Sequence, residues 1–103
     1  MSERVRRRAR VHGRVQGVWF RGATRQEALR HGVDGWVCNH RDGSLEAVFE
    51  GPPESVERLL SFCQHGPAGA QVQQVTAADE PPQGLRGFTI EPAPPPGEAP
   101  RKA

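Results

Sequence analysis

Two side chains stand out for chemistry, Arg21 and Asn39, each in a glycine-bearing stretch. The first stretch is Gly13-Arg14-Val15-Gln16-Gly17-Val18-Trp19-Phe20-Arg21. It follows residues that alternate like a strand and precedes residues that repeat like a helix. Its two glycines let the backbone turn tightly and approach a ligand closely. A loop that runs into a helix start presents unpaired N–H groups and the positive end of the dipole, a setting for an anion. The amides of Val15, Gln16, Gly17, Val18, Trp19 and Phe20 would form the cradle. Arg21 falls in the first helical turn, where its guanidinium can close on the same anion. No Gly-Lys-Ser/Thr follows the second glycine, so this is not the nucleotide P-loop, and the three glycines of the dinucleotide fingerprint are absent. The same letters also fit a plain strand-to-helix turn beside a solvated arginine, and the loop alone does not choose.

The second stretch is Gly35-Trp36-Val37-Cys38-Asn39-His40-Arg41-Asp42-Gly43. An asparagine amide can accept a hydrogen bond from water and donate another, which fixes where the water's lone pair points. It cannot act as a base at neutral pH. Alone, Asn39 also reads as a turn residue ahead of Asp42-Gly43.

Taken together, VHGRVQGVWFRGAT and GVDGWVCNHRDGSLEAVFEG closely resemble the acylphosphatase family. That family's pattern is a G-x-V-Q-G-V-x-F-R loop, a Thr three residues later, and a G-W-V-x-N strand ending in a D-G turn. Weaker agreement continues through Gly66-Pro67, Ala70, Val72, Val75 and Phe88-Thr89-Ile90, so the resemblance covers about residues 5 to 91. One departure is His31, where the family usually has Leu before the helix-ending glycine. The resemblance implies a hydrolase that splits an acyl phosphate into carboxylate and inorganic phosphate, by in-line attack of water, without metal, cofactor or phosphoenzyme. It implies Arg21 and Asn39 as the catalytic pair, with the cradle amides on the phosphate and Gly13 and Thr24 as supporting positions. The competing reading is an acylphosphatase-like module that grips an anion or partner without turnover; intact Arg21 and Asn39 argue against it. A small cradle leaves the acyl portion largely outside, so loose selectivity is expected.

The elements that must position these residues follow from periodicity. Val5, Arg7, Ala9 and Val11 alternate with Arg6, Arg8 and Arg10, giving a strand over about residues 5–12. A helix follows from Phe20 to His31, stopped by Gly32, with Phe20, Thr24, Ala28 and the His31 stem inward. Strands are expected over 33–40 and from Leu45, joined by an Asp-Gly hairpin turn. Pro52-Pro53-Glu54 opens a second helix whose stripe is Val56, Leu59, Leu60 and Cys63. A fourth strand over about 70–79, with a possible bulge, and a short fifth at 87–91 complete the order. That order is the α+β ferredoxin-like βαββαβ sandwich: two helices on one face of an antiparallel sheet, first strand beside third. Residues 1–91 form this domain, and the Pro/Ala/Gly-rich 92–103 reads as a disordered tail that packs nowhere.

The 103 residues suit one domain, and no apolar run is long enough to span a bilayer. Net charge is +2, with five arginines among the first ten residues. Those arginines read as the solvent face of a strand; without interleaved aromatics they make a poor nucleic-acid platform. Cys38 and Cys63 have no metal spacing and read as buried reduced thiols. His12, His31, His40 and His65 each stand apart in sequence, so no metal site is expected. A cytoplasmic monomer acting on a small acyl phosphate, with no nucleic-acid or membrane partner, is the resulting expectation.

Overall fold

The computed structural model describes residues 3–98. Its elements are β1 (Val5–Arg14), α1 (Phe20–Arg30), β2 (Asp34–Asn39), β3 (Leu45–Gly51), α2 (Pro53–Cys63), β4 (Gln71–Glu80) and β5 (Phe88–Ile90). The strands lie in the order β4-β1-β3-β2-β5, with β1 beside β3 as right-handed crossovers require. β4, β1, β3 and β2 are antiparallel in sequence. The short fifth strand, expected without a direction, runs parallel to β2, with Gly35 opposite Phe88 and Val37 opposite Ile90. The connection over 81–87 reverses the chain after β4 and brings it to the far edge, where β2 already runs in that direction.

Strand alternation sends one set of side chains toward the helices. Ala9, Val11, Val37, Leu45, Ala47, Phe49 and Phe88 meet Phe20, Ala28, Val56, Leu59, Leu60 and Cys63 in a single core. The α2 stripe read from sequence is the buried one. In α1 the buried residues are Phe20, Ala23, Thr24 and Ala28, while His31 caps the helix instead of packing beneath it. Each fully buried Leu or Phe in this layer contributes roughly 1.5–3 kcal/mol.

The other face of the sheet is where expectation and structure part. Arg6 does not face solvent: it is 1% exposed. Strand register places it between Glu80 on β4 and Glu50 on β3. Its guanidinium donates to Glu50 at 2.7 Å, Glu80 at 2.8 Å and Glu98 at 2.5 Å. Arg8 in turn donates to Glu46, Glu80 and Glu98 and lies over the Trp36 ring. Burial opposes the charge on Arg6, but the hydrogen bonds to Glu80, Glu50 and Glu98 outweigh it and hold its pKa above the ordinary arginine value. A charged layer thus replaces a second helical layer, with Trp36, Cys38 and Val48 as its small apolar patch.

Glu98 also corrects the expectation of a tail that packs nowhere. It is buried, because its carboxylate serves both Arg6 and Arg8. Residues 99–103 of the expected tail lie outside the described residues.

Candidate active site

β1 delivers the cradle and α1 receives it. Gly13 and Gly17 serve it differently. Gly17 takes φ 75° and has open space where a Cβ would point, so it combines a left-handed turn with room for a ligand. Gly13, at φ 125°, is glycine for another reason: a Cβ there would collide with the Gln71 carbonyl oxygen on β4. The register between β1 and β4 slips at this point, His12 opposing Gln74 and Gly13 opposing Val72, so Gln73 is the extra residue of a β-bulge. Gly13 therefore allows the bulge, after which Arg14 still pairs with Gln71 and the loop departs.

The loop enters α1 through Trp19, the single non-glycine residue with positive φ among the described residues (φ 66°, ψ 27°). Such a conformation costs a bulky residue roughly 1–2 kcal/mol. No side chain caps this helix, and no acidic residue occupies its first turn. Among the described residues the amides of Gln16, Gly17, Val18 and Trp19 donate to no backbone acceptor. Unpaired amides at an uncapped helix start leave the positive dipole end open to an anion. Thr24 is buried one turn in and donates its hydroxyl to the Phe20 carbonyl at 2.8 Å, bracing the first turn.

Arg21 and Asn39 line one cavity of about 380 Å³, together with Val15, Gly17, Trp19 and Ile90. Arg21 is exposed and has no ion-pair partner among the described residues, so its fork of donors is available. Asn39 is the last residue of β2, on the helix-facing side that Val37 also takes. Its Oδ1 is buried and receives no hydrogen bond from the protein. A buried acceptor without a donor is costly unless something supplies one. Of the neighbouring arginines, Arg14 is exposed, whereas Arg25 donates to the Phe88 carbonyl at 3.1 Å and so steadies β5.

A contact that sequence reasoning missed joins the two halves. The Gln16 side-chain amide donates to the His40 carbonyl at 2.7 Å and the Ser44 carbonyl at 3.0 Å. The cradle is thereby fastened to the turn just beyond Asn39.

His40 does not stand apart as expected. It lies 2.6 Å from a Glu46 carboxylate oxygen and 4.0 Å from the Cys38 sulfur, on the sheet face opposite the cavity. The three could reach one ion. Arg8 at 2.6 Å and Arg10 at 3.8 Å already neutralise the same carboxylate and oppose a cation there. Burial, then the Glu46 charge, pushes the Cys38 thiol up to about 11, and burial pushes Cys63 up to about 12. Neither thiol is a nucleophile near neutral pH.

The family model for acylphosphatase matches residues 7–90. An acylphosphatase of Gloeobacter violaceus is 52% identical over 90 residues, which span 87% of this chain and 97% of the relative. Among solved structures, an acylphosphatase from Coxiella burnetii superposes with TM-score 0.83 at 30% identity, over 85% of this chain and 93% of that one. The crystal structure of acylphosphatase from Bacillus subtilis gives TM-score 0.82 at 31% identity, over 84% and 98%. With the fold, the loop and the paired arginine and asparagine in place, the chain belongs to the acylphosphatase family.

Proposed function

We propose that this acylphosphatase hydrolyses small acyl phosphates with Arg21 and Asn39 as its catalytic residues. The observation that carries the assignment is the meeting of Arg21, the unpaired loop amides and the unpartnered Asn39 Oδ1 around one cavity. An acyl phosphate is a mixed anhydride, and its leaving group is a carboxylate whose acid has a pKa near the roughly 4 of ordinary carboxyl groups. Such a group departs unprotonated, so no general acid is needed. Phosphoryl transfer then depends on positioning and on stabilising charge. The amides of Val15 to Phe20 and the Arg21 fork hold the phosphoryl oxygens, the fork bidentately. Asn39 holds the attacking water through Oδ1. Water attacks phosphorus, the phosphorus–oxygen bond to the acyl group breaks, and carboxylate, phosphate and one proton result. The proton passes to a phosphoryl oxygen, because Asn39 cannot take it.

Two buried, unlinked cysteines fit a reducing compartment, and we place the enzyme in the cytoplasm as a monomer. The test is phosphate release from acetyl phosphate and benzoyl phosphate by the purified full chain. Steady turnover that disappears in Arg21→Ala is expected; an inert wild-type protein would overturn the reading.

A further inference from the structure

His40 follows Asn39 directly, and the structure holds both its backbone and its side chain. Its amide donates to the Ser44 carbonyl at 2.9 Å, and its carbonyl accepts from the Gly43 amide and the Gln16 side chain. Those bonds account for the turn but not for the imidazole. Strand alternation sends the Asn39 side chain to the cavity and the His40 side chain to the opposite face of the sheet. There Nε2 lies 2.6 Å from Oε1 of Glu46. A carboxylate only accepts, so Nε2 carries the proton and donates it.

An exposed pair of this kind would contribute little. Here the Glu46 side chain is 2% exposed, and its other oxygen accepts from Arg8 at 2.6 Å. Arg8 is held in turn by Glu80 at 2.7 Å. The imidazole therefore ends a series of charge-assisted bonds that starts on β4, crosses β1 and β3 and stops one residue beyond β2. Asn39 stands where such a brace matters. It is the last paired residue of β2, opposite Leu45, so the ladder steadies it from one side only. Its Oδ1 receives no hydrogen bond from the protein, so no protein donor aims that oxygen. Its aim falls to the backbone, and in-line attack tolerates little misplacement. We propose that His40 is a positioning residue: gripped by Glu46 from the far face of the sheet, it fixes the backbone from which Asn39 holds the attacking water. The imidazole itself touches neither substrate nor water. The inference rests on the acyl phosphate reading above and extends it to a residue behind the site.

His40→Ala keeps the carbonyl that Gln16 uses, so it removes the brace and leaves the clamp. In the full chain its kcat for acetyl phosphate is expected to fall about tenfold, within the roughly 10²-fold that a 1 Å misplacement can cost. Inorganic phosphate should still inhibit it near the wild-type constant. His40→Gln, whose amide nitrogen can donate where Nε2 did, should keep most of the rate. In an Asn39→Ala background, His40→Ala should cost nothing further, because the residue through which it acts is gone. Backbone amide order parameters at Asn39 and His40, about 0.85 for a rigid chain, should drop toward about 0.6 in His40→Ala and recover in His40→Gln. A full wild-type rate in His40→Ala, a Gln variant as slow as the Ala one, or a tenfold loss that persists without Asn39 overturns the positioning role and leaves Asn39 its own. So do order parameters that His40→Ala leaves unchanged. An inert wild type whose order parameters follow the expected pattern overturns the hydrolase reading and leaves the brace on Asn39 standing.

Discussion

Gln16 donates its side-chain amide to the His40 carbonyl, 2.7 Å away, and so ties the phosphate cradle to the turn that follows Asn39. A second bond to the Ser44 carbonyl makes the tie a clamp across the hairpin. Positioning is most of what this reaction asks of the protein. Gln16→Ala is therefore expected to lower kcat/KM about tenfold, the equivalent of about 1.4 kcal/mol. Gln16→Glu should be worse than Gln16→Ala, because a carboxylate cannot donate to either carbonyl and sits beside the phosphoryl charge. Steady-state kinetics on the two variants checks the order; equal losses would reduce the clamp to a space-filling role.

Asn39 is expected to separate binding from turnover. Asn39→Ala should remove most hydrolysis while inorganic phosphate still inhibits near its wild-type constant, because the proposed role of the side chain is to hold water and not the anion. Asn39→Asp should lose both, since a carboxylate at that place repels the phosphoryl group. Product-inhibition constants for the pair decide it. A fall in phosphate affinity as large as the fall in rate for Asn39→Ala would move the residue into the cradle.

The core was legible because its information is local. Val56, Leu59, Leu60 and Cys63 declare a helix face by spacing, and Trp36 and Val37 declare opposite sheet faces by alternation. The meeting of Arg21 and Asn39 was legible through motif resemblance. The charged layer was not. Whether Arg6 is buried depends on Glu50, Glu80 and Glu98, which lie 44, 74 and 92 residues away. Composition made 92–103 look free to wander, and a single carboxylate against two arginines leaves no trace in composition. The role of Gly13 was hidden in the same way, because the atom that demands glycine belongs to β4. Trp19 did leave a signal that went unread: a glycine three residues later, on the same helix face, where a large ring can lie.

Arg21 is assigned to bidentate contact with the phosphoryl oxygens. If charge alone mattered, Arg21→Lys would be mild and Arg21→Ala severe. Lysine offers a point charge on a flexible stem in place of the fork, so both are expected to cost on the order of 10²–10³ in rate. Phosphate affinity should weaken as well, unlike in Asn39→Ala. Arg14→Ala is the control, as Arg14 is exposed and outside the cavity. Arg25 cannot serve, because it holds the Phe88 carbonyl. Comparable losses at Arg14 would replace a specific site with a diffuse basic patch.

Glu98 joins the charged layer beneath the sheet, and acid should reveal that layer. Glu98→Gln keeps the shape but weakens charge-assisted hydrogen bonds to Arg6 and Arg8, while Glu50 and Glu80 still pair with Arg6. Bonds to charged groups contribute roughly 1.5–3 kcal/mol each, so a loss of about 1–3 kcal/mol is expected. For a domain of this size each kcal/mol moves Tm by roughly 4–8 °C. The pH dependence follows from Glu50 and Glu80. Burial would raise the Glu50 pKa, but the Arg6 guanidinium and the Gln83 and Leu85 amides hold it below the usual carboxylate value. The Arg8 bond, against a smaller burial effect, does the same for Glu80. A carboxyl whose folded pKa is depressed contributes stability that is complete above its unfolded value, about 4.3, and is lost as pH falls through the folded one. Tm is thus expected to stay level near neutral pH and to drop below about pH 4.3, with Glu98→Gln lower at neutral pH and its gap to the wild type narrowing in acid. Thermal melts of both proteins across that range check it. A Glu98→Gln curve that overlays the wild type would mean that Glu98 adds nothing to the layer.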